Sequence, residues 1–228
     1  MGRSTAIGGD EWAGQGVPPG REGCGRRCWR DPGAAPGTHG VPGFRILFVC
    51  TGNICRSPMA ERLTRAALGP CPALEVASAG THALADEPMS RHASAVLAEL
   101  GGDPGGFRAR ALSAELIERA DLVLAAAVEH RAHAVAMYPA AAGRVFTIAE
   151  FGTLAQAVPA ASLPGHGGHG SLAPRARALV AEVAALRGLV RVDRLEIGDP
   201  YGRPARAYRA AGRRIAASLA VPFGLLTR

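Results

Sequence analysis

Short apolar runs alternate with amphipathic segments from residue 44 to the end of the chain. The run Phe44-Arg45-Ile46-Leu47-Phe48-Val49 has the near-continuous hydrophobicity of a strand that is buried on both faces. Further apolar runs at 74–77, 121–125 and 144–148 predict three more strands. Repeated strand–helix–strand units predict an α/β protein in three layers, with a parallel sheet covered by helices on both faces. The predicted helices span residues 58–68, 88–100, 114–119, 129–137, 175–187 and 204–219.

Two segments lack this alternation and divide the chain. Residues 1–43 are rich in Gly, Pro and Arg without apolar periodicity, which predicts a disordered tail before a domain over 44–228. Prolines and glycines at 158–173 predict a flexible surface loop within that domain. His166 and His169 lie in the loop and Cys24 and Cys28 lie in the tail, without further metal ligands at matching spacing. We therefore predict no metal site in either segment.

Composition narrows the function classes. The net charge of +7 fits either a nucleic-acid surface or acidic substrates, but the arginines are scattered and no stacking aromatics are interleaved with them. We therefore expect no nucleic-acid partner. Five cysteines, an odd number, argue against a disulfide framework. No secretory signal and no run of about 18 apolar residues is found, so we expect a cytoplasmic protein without a membrane span.

The candidate chemistry lies in the loop that follows the first predicted strand. Its residues are Cys50-Thr51-Gly52-Asn53-Ile54-Cys55-Arg56-Ser57, with Ser57 predicted as the N-cap of the next helix and Pro58 as its first residue. Free N–H groups at a helix start bind phosphate, and Gly52 and Asn53 tolerate the positive φ that turns such amides inward. Arg56 can grip two phosphate oxygens. The same positive field stabilises a thiolate at Cys50, to which Ser57 could donate a hydrogen bond.

Cleavage of a phosphate ester also requires a general acid. Asp199, in Gly198-Asp199-Pro200-Tyr201, is the best candidate because it stands in a loop before the last predicted helix. An ordinary Asp-Pro turn would have the same sequence, and the residues alone leave both interpretations open.

Together these motifs resemble the low-molecular-weight protein tyrosine phosphatases. The resemblance rests on Cys50 to Pro58, on Asp199-Pro200-Tyr201 and on Ser78-Ala79-Gly80-Thr81, and it extends from about Phe44 to the C-terminus. It implies a four-stranded parallel sheet in the order 2-1-3-4 with the phosphate loop after strand 1. It also implies hydrolysis of protein phosphotyrosine through a phosphocysteine, with no cofactor or metal.

The resemblance assigns roles to individual residues. Cys50 would be the nucleophile, Arg56 and the amides of residues 51–56 would stabilise the phosphoryl oxygens, and Asp199 would be the general acid. Tyr201 would stack on the substrate ring, and Ser78 would support the loop through Asn53. Cys55 either forms a reversible disulfide with Cys50 or simply fills space. The partner would be a tyrosine-phosphorylated protein, with bacterial tyrosine kinases among the candidates.

Three departures from the family accompany this resemblance. The spacing from Cys50 to Asp199 is longer than in compact members, and residues 1–43 have no counterpart. Phe107 stands where many members have a histidine, and since it cannot hydrogen-bond, the support of the loop must differ.

Several other functions share the motif. An arsenate reductase coupled to a small thiol would need only one cysteine, although Tyr201 favours an aromatic substrate. A protein arginine phosphatase would carry Thr at the position of Ile54. A phosphotyrosine-binding module without activity would be expected to lack Cys50, Arg56 or Asp199, and all three are present.

Overall fold

The computed structural model describes residues 43–71, 73–165 and 172–227. Almost all of the predicted tail lies outside these ranges, as do Cys24, Cys28, His166 and His169. The described part of the predicted loop contains a 3₁₀ turn at Ala160–Ser162, followed by the buried Leu163. Within the described ranges, no helix combines the length and hydropathy needed to cross a bilayer.

Four parallel strands form the sheet, as predicted. They are β1 (Phe44–Cys50), β2 (Leu74–Gly80), β3 (Leu122–Ala125) and β4 (Val145–Thr147), in the order β2-β1-β3-β4. Every residue of β3 and β4 is buried, which explains why these strands read as continuous apolar runs. The register aligns Cys50 with Gly80, so the ends of β1 and β2 meet at one edge of the sheet.

Helices cover both faces of this sheet and complete the three layers. One core cluster joins the face that carries Phe48 to Met59, Leu97 and Ile215, and the other joins the face that carries Leu47 to Ile117 and Ala134. Each large apolar side chain that is fully buried contributes about 1.5–3 kcal/mol relative to an exposed one. The helices are α1 (Arg56–Leu68), α2 (Arg91–Glu99), α3 (Ala114–Arg119), α4 (Val128–Met137), α5 (Ile148–Ala155), α6 (Leu172–Ala185) and α7 (Ala205–Thr227).

Helix α5 was not predicted, and the fourth strand is shorter than expected because of it. Thr147 ends β4 and at once caps α5: its hydroxyl accepts from the Glu150 amide, and the Glu150 carboxylate accepts from the Thr147 amide. This reciprocal capping box starts a helix with no connecting loop. The prediction of strand through residue 148 was therefore wrong at its C-terminal end.

The first helix also begins differently from the prediction. It starts at Arg56 after Cys55, so Ser57 lies inside the helix and is not its N-cap. Glu61, further along the same helix, is buried as well. Both side chains take part in the interior network described below.

Candidate active site

The loop between β1 and α1 sits at the carboxyl end of the sheet, where parallel α/β proteins form their ligand sites. Cys50 is the last residue of β1 and Arg56 the first of α1, and both side chains are buried. Asn53 adopts the left-handed conformation, with φ of 55°. Gly52 does not, so the expectation of positive φ holds for Asn53 and fails for Gly52. The loop thus joins a buried thiol to the start of a helix, the arrangement that an anion site requires.

The Cys50 sulfur is in contact with a hydroxyl group. Ser57 Oγ lies 2.9 Å from Cys50 Sγ and also accepts a hydrogen bond from Asn53 Nδ2 at 2.9 Å. Because the amide of Asn53 occupies an acceptor position of Ser57, the hydroxyl hydrogen is left for the sulfur at 2.9 Å or for the Ala79 carbonyl oxygen, which is farther away at 3.4 Å. This arrangement suits a thiolate, which can only accept.

A buried hydrogen-bond network holds the loop from behind. Asn53 Nδ2 also donates to Ser78 Oγ at 2.9 Å, and Ser78 in turn donates to Glu61 Oε2 at 2.6 Å. Arg65 pairs with Glu61 at 2.9 Å and supplies the positive charge that a buried carboxylate needs. The sequence therefore predicted the Ser78–Asn53 contact but not its continuation to Glu61.

Arg110 contributes two further hydrogen bonds to this network. Its backbone N–H donates to Asn53 Oδ1 at 2.9 Å, and its Nε donates to the Ser78 carbonyl at 2.8 Å. Phe107 is buried and stacks near the guanidinium of Arg62, 5.8 Å from ring centre to Cζ. Phe107 at the usual histidine position led us to expect a different support for the loop. In this structure the main chain and side chain of Arg110 donate hydrogen bonds that support it.

Arg56 connects the loop to the segment that carries Asp199. Its side chain is only 4% exposed; Nη1 donates to the Ile197 carbonyl at 3.2 Å and Nη2 lies 3.0 Å from Asp199 Oδ2. Its Nε is buried without a hydrogen-bond partner among the described residues. Arg56 thus retains one N–H donor that no described residue uses.

Asp199 forms a turn and also lies in the site. Its Oδ1 accepts from the backbone N–H of Tyr201 at 3.2 Å, while Oδ2 pairs with Arg56. The side chain of Asp199 is half exposed, and Tyr201 is 62% exposed. The Asp-Pro turn is therefore present, and it directs the carboxylate to Arg56 in the cleft; the role of Asp199 as general acid stays a prediction.

A cleft of about 220 Å³ gathers most of the predicted residues. Asn53, Ser57 and Ser78 are not among its lining residues, because their side chains are fully buried behind the loop. Two lining residues, His82 and Leu84, escaped prediction, although they follow the carboxyl end of β2. The lining residues are Cys50, Thr51, Gly52, Ile54, Cys55, Arg56, His82, Leu84, Asp199 and Tyr201.

His130 is a second residue that sequence reasoning missed. Its ring is 2% exposed at the start of α4, and Nε2 lies 2.8 Å from Thr51 Oγ1. Burial, together with the positive charge of Arg56, lowers the pKa of His130 to about 4, so the ring is neutral near pH 7. Residue 130 is far from the loop in sequence, and only its position after the third strand hinted at the site.

Cys55 is free, as are Cys50 and Cys71. Its sulfur lies 3.3 Å from Ser90 Oγ, the N-cap residue of α2. Burial is the main cause that raises the pKa of the Cys55 thiol above its usual value. The thiol therefore serves as a packed, protonated neighbour of Ser90 in this structure.

The fold is a four-stranded parallel α/β sheet, and a cleft that contains a buried cysteine and a buried arginine lies at its carboxyl end. Residues 45–160 match the family of low molecular weight phosphotyrosine protein phosphatases, and the chain belongs to that family. Etp of Escherichia coli, a low molecular weight protein-tyrosine-phosphatase, is 42% identical over 106 residues, which cover 46% of this chain and 70% of Etp. A protein-arginine-phosphatase of Geobacillus stearothermophilus is 33% identical over 168 residues, which cover 74% of this chain and 86% of that protein.

Solved structures agree with the fold. The tyrosine phosphatase AmsI of Erwinia amylovora superposes with a TM-score of 0.59 at 24% identity, covering 84% of this chain and 99% of that one. At this identity the likeness concerns the fold alone.

Proposed function

We propose that this chain hydrolyses protein phosphotyrosine through a phosphocysteine intermediate. The observation that carries the proposal is that one cleft holds the buried thiol of Cys50, the buried guanidinium of Arg56 and the half-exposed carboxyl of Asp199. These are the three groups that the reaction needs: a nucleophile, a cation for the phosphoryl oxygens and a proton donor open to the leaving group.

The first step transfers the phosphoryl group to sulfur. The Cys50 thiolate attacks phosphorus, the bond from phosphorus to the tyrosine oxygen breaks, and Asp199 gives its proton to that oxygen. Arg56 exchanges its contact with Asp199 for the phosphoryl oxygens. The charge of the transition state is then held by groups that are already in position.

The second step returns the enzyme to its starting state. Asp199, now a carboxylate, takes a proton from water while the water oxygen attacks the phosphocysteine. The sulfur–phosphorus bond breaks, and Cys50 leaves as a thiolate that the Ser57 hydroxyl at 2.9 Å stabilises. Inorganic phosphate is released, and no cofactor is consumed.

The walls of the cleft favour an aromatic ester. Leu84 and Tyr201 are exposed at its rim and Ile54 is apolar, so a phenyl ring finds apolar contacts on the way to the sulfur. Asp199 is the one carboxylate among the lining residues, and it already pairs with Arg56. A phosphoarginine guanidinium would therefore lack a counter-ion of its own.

Arginine phosphatase activity is the second candidate, because the relative from Geobacillus stearothermophilus matches 74% of this chain. An arsenate reductase coupled to a small thiol is the third. Assays of phosphotyrosine peptide, phosphoarginine peptide and arsenate with glutathione, side by side, distinguish the three. We expect phosphate release from the phosphotyrosine peptide to dominate.

The roles of the three residues are tested by substitution. Cys50→Ser should abolish turnover. Asp199→Ala should lower kcat for phenyl phosphate by about 10²–10⁴ and much less for 2,4-dinitrophenyl phosphate, whose leaving group needs no proton. Asp193→Ala, in the same loop and exposed, is the matched control and should leave both rates unchanged. Turnover by Cys50→Ser, or an equal loss on both esters for Asp199→Ala, would contradict the mechanism.

The same proposal covers location and domain organisation. A thiolate nucleophile requires a reducing compartment, so we place the protein in the cytoplasm, with phosphotyrosine proteins, including tyrosine kinases, as its partners. Residues 44–228 would form the catalytic domain, and residues 1–43 would lie outside it.

A further inference from the structure

The hydroxyl group of Thr51 lies between the guanidinium of Arg56 and the ring of the buried His130. Its Oγ1 is 3.3 Å from Arg56 Nη2 and 2.8 Å from His130 Nε2. The same Nη2 of Arg56 lies 3.0 Å from Asp199 Oδ2. Thr51 lines the cleft directly after the nucleophile. A hydroxyl in this position is within reach of a phosphoryl oxygen that Arg56 binds.

The hydrogen bonds of His130 determine where the hydroxyl hydrogen points. His130 Nδ1 is buried without a hydrogen-bond partner among the described residues. A buried N–H without an acceptor is rarer and costs more than a buried lone pair without a donor. Nε2 also faces Glu129 Oε1 at 3.4 Å, and a carboxylate only accepts. Both observations assign the ring hydrogen to Nε2 and the bare lone pair to Nδ1.

With the hydrogen on Nε2, the oxygen of Thr51 accepts from His130 and from Arg56. A hydroxyl has two acceptor positions and one hydrogen, so both acceptor positions are filled and the hydrogen remains for a third partner. That hydrogen then points away from both donors, toward the cleft. With the other tautomer the hydrogen would be spent on His130, and nothing would remain for a ligand.

We propose that the Thr51 side chain donates a hydrogen bond to a non-bridging oxygen of the phosphoryl group, and that His130 is the positioning residue that orients it. This rests on the proposed function, to which it adds a donor beyond Arg56 and the loop amides. The neutral ring holds the hydroxyl by donating to it without placing a second charge next to Arg56. The donor is in place before the substrate arrives, so little reorganisation is needed during the reaction.

The charged groups around the ring are compatible with this role. Arg56 opposes protonation of the ring, as does His133 one turn along α4, while Asp199 and Glu196 favour it. Burial outweighs the two carboxylates, which is why the pKa of His130 is lowered to about 4. Glu129 is 75% exposed, so water screens its contact with Nε2.

Substitutions of Thr51 test the donor. Thr51→Val keeps the shape and removes the hydroxyl, and Thr51→Ser keeps the hydroxyl. Because a hydrogen bond to a charged group is at stake, we expect Thr51→Val to lower kcat/KM by about ten- to a hundredfold, and Thr51→Ser to stay within about threefold of the wild type. The loss should be equal for phenyl phosphate and 2,4-dinitrophenyl phosphate, since a non-bridging oxygen is present in both. Inhibition by inorganic phosphate should weaken in parallel.

A double-mutant cycle tests His130. His130→Phe should lower kcat/KM about as much as Thr51→Val, the double variant should be no worse than either, and His130→Gln, which keeps a donor near Nε2, should recover part of the rate. Ala132→Phe, exposed on the same helix, is the control. In protein labelled with ¹⁵N-histidine, the signal that is lost in His130→Phe should show the hydrogen on Nε2.

Several results would overturn the proposal. Unchanged kcat/KM in Thr51→Val would show that the Thr51 hydroxyl does not donate to the phosphoryl group. A loss confined to phenyl phosphate would show that Thr51 acts on proton transfer by Asp199 and not on a non-bridging oxygen. Additive losses in the cycle, or a hydrogen on Nδ1, would remove His130 as the positioning residue. A wild-type protein without activity on either aryl phosphate would instead refute the proposed function, and the ¹⁵N spectrum would still decide the orientation of Thr51.

Discussion

The buried His130 makes a quantitative prediction about stability and pH. Its pKa falls from 6.5 in the unfolded chain to about 4 in the fold. Between these values the unfolded chain binds a proton that the folded protein refuses, so folding stability rises with pH through this window and is lost as the pH falls. Each unit of difference is worth 1.36 kcal/mol, which gives about 3 kcal/mol in full below pH 4 and about 2 kcal/mol between pH 7 and pH 5.

The measurement is urea unfolding at pH 7 and pH 5 for the wild type and for His130→Phe. Carboxylates elsewhere titrate in both proteins, so their contribution cancels in the difference. We expect the free energy of unfolding to fall by about 2 kcal/mol more in the wild type than in His130→Phe. The same decrease in both proteins would show that His130 accepts a proton in the fold as readily as in the unfolded chain, and would refute the reasoning.

Three further predictions concern the loop. In Gly80→Ala the new Cβ would lie 2.4 Å from the Thr51 carbonyl oxygen, so the loop backbone must move, and kcat for phenyl phosphate should fall at least about tenfold. Ser78→Ala leaves one N–H of Asn53 Nδ2 without an acceptor and removes a donor to the buried Glu61 carboxylate, which should cost about 1–3 kcal/mol in urea unfolding. Ile54→Thr should raise the ratio of phosphoarginine to phosphotyrosine turnover, measured by phosphate release.

Features that depend on neighbours in the sequence were predictable. The strand before Cys50, the loop after it and the short helix over 114–119 each need only a few adjacent residues, and the structure has all three. The order of the four strands followed from the family resemblance and is also observed. Local interactions decide these features before the rest of the chain is folded.

Helix α5 was not predicted from the sequence, and the reason is also local. Its first turn continues the apolar run of β4, so periodicity alone could not separate strand from helix. The pair Thr147 and Glu150, three residues apart, forms the capping box that begins the helix. This pair marks the boundary between strand and helix that periodicity does not.

Contacts across the fold were beyond the sequence. The loop residues Thr51 and Asn53 receive their support from His130 and Arg110, which β3 and the segment before α3 bring to the same edge of the sheet. No periodicity links such positions, since only the packing of the helices sets the distance. The Arg110 backbone N–H donates to Asn53, and almost any residue type could supply that N–H. The identity of residue 110 therefore could not predict this contact.

The hydrogen bonds of Arg56 could not be predicted from the motif, which indicates only that this side chain binds phosphate. In the structure the side chain is buried, and Nη1 and Nη2 contact Ile197 and Asp199. Its Nε has no hydrogen-bond partner among the described residues. An unpaired buried donor costs about 1–3 kcal/mol. If Nε donates to a phosphoryl oxygen, as the proposed function requires of Arg56, that cost is recovered on binding. We therefore predict that part of the folding free energy is returned as affinity for the oxyanion.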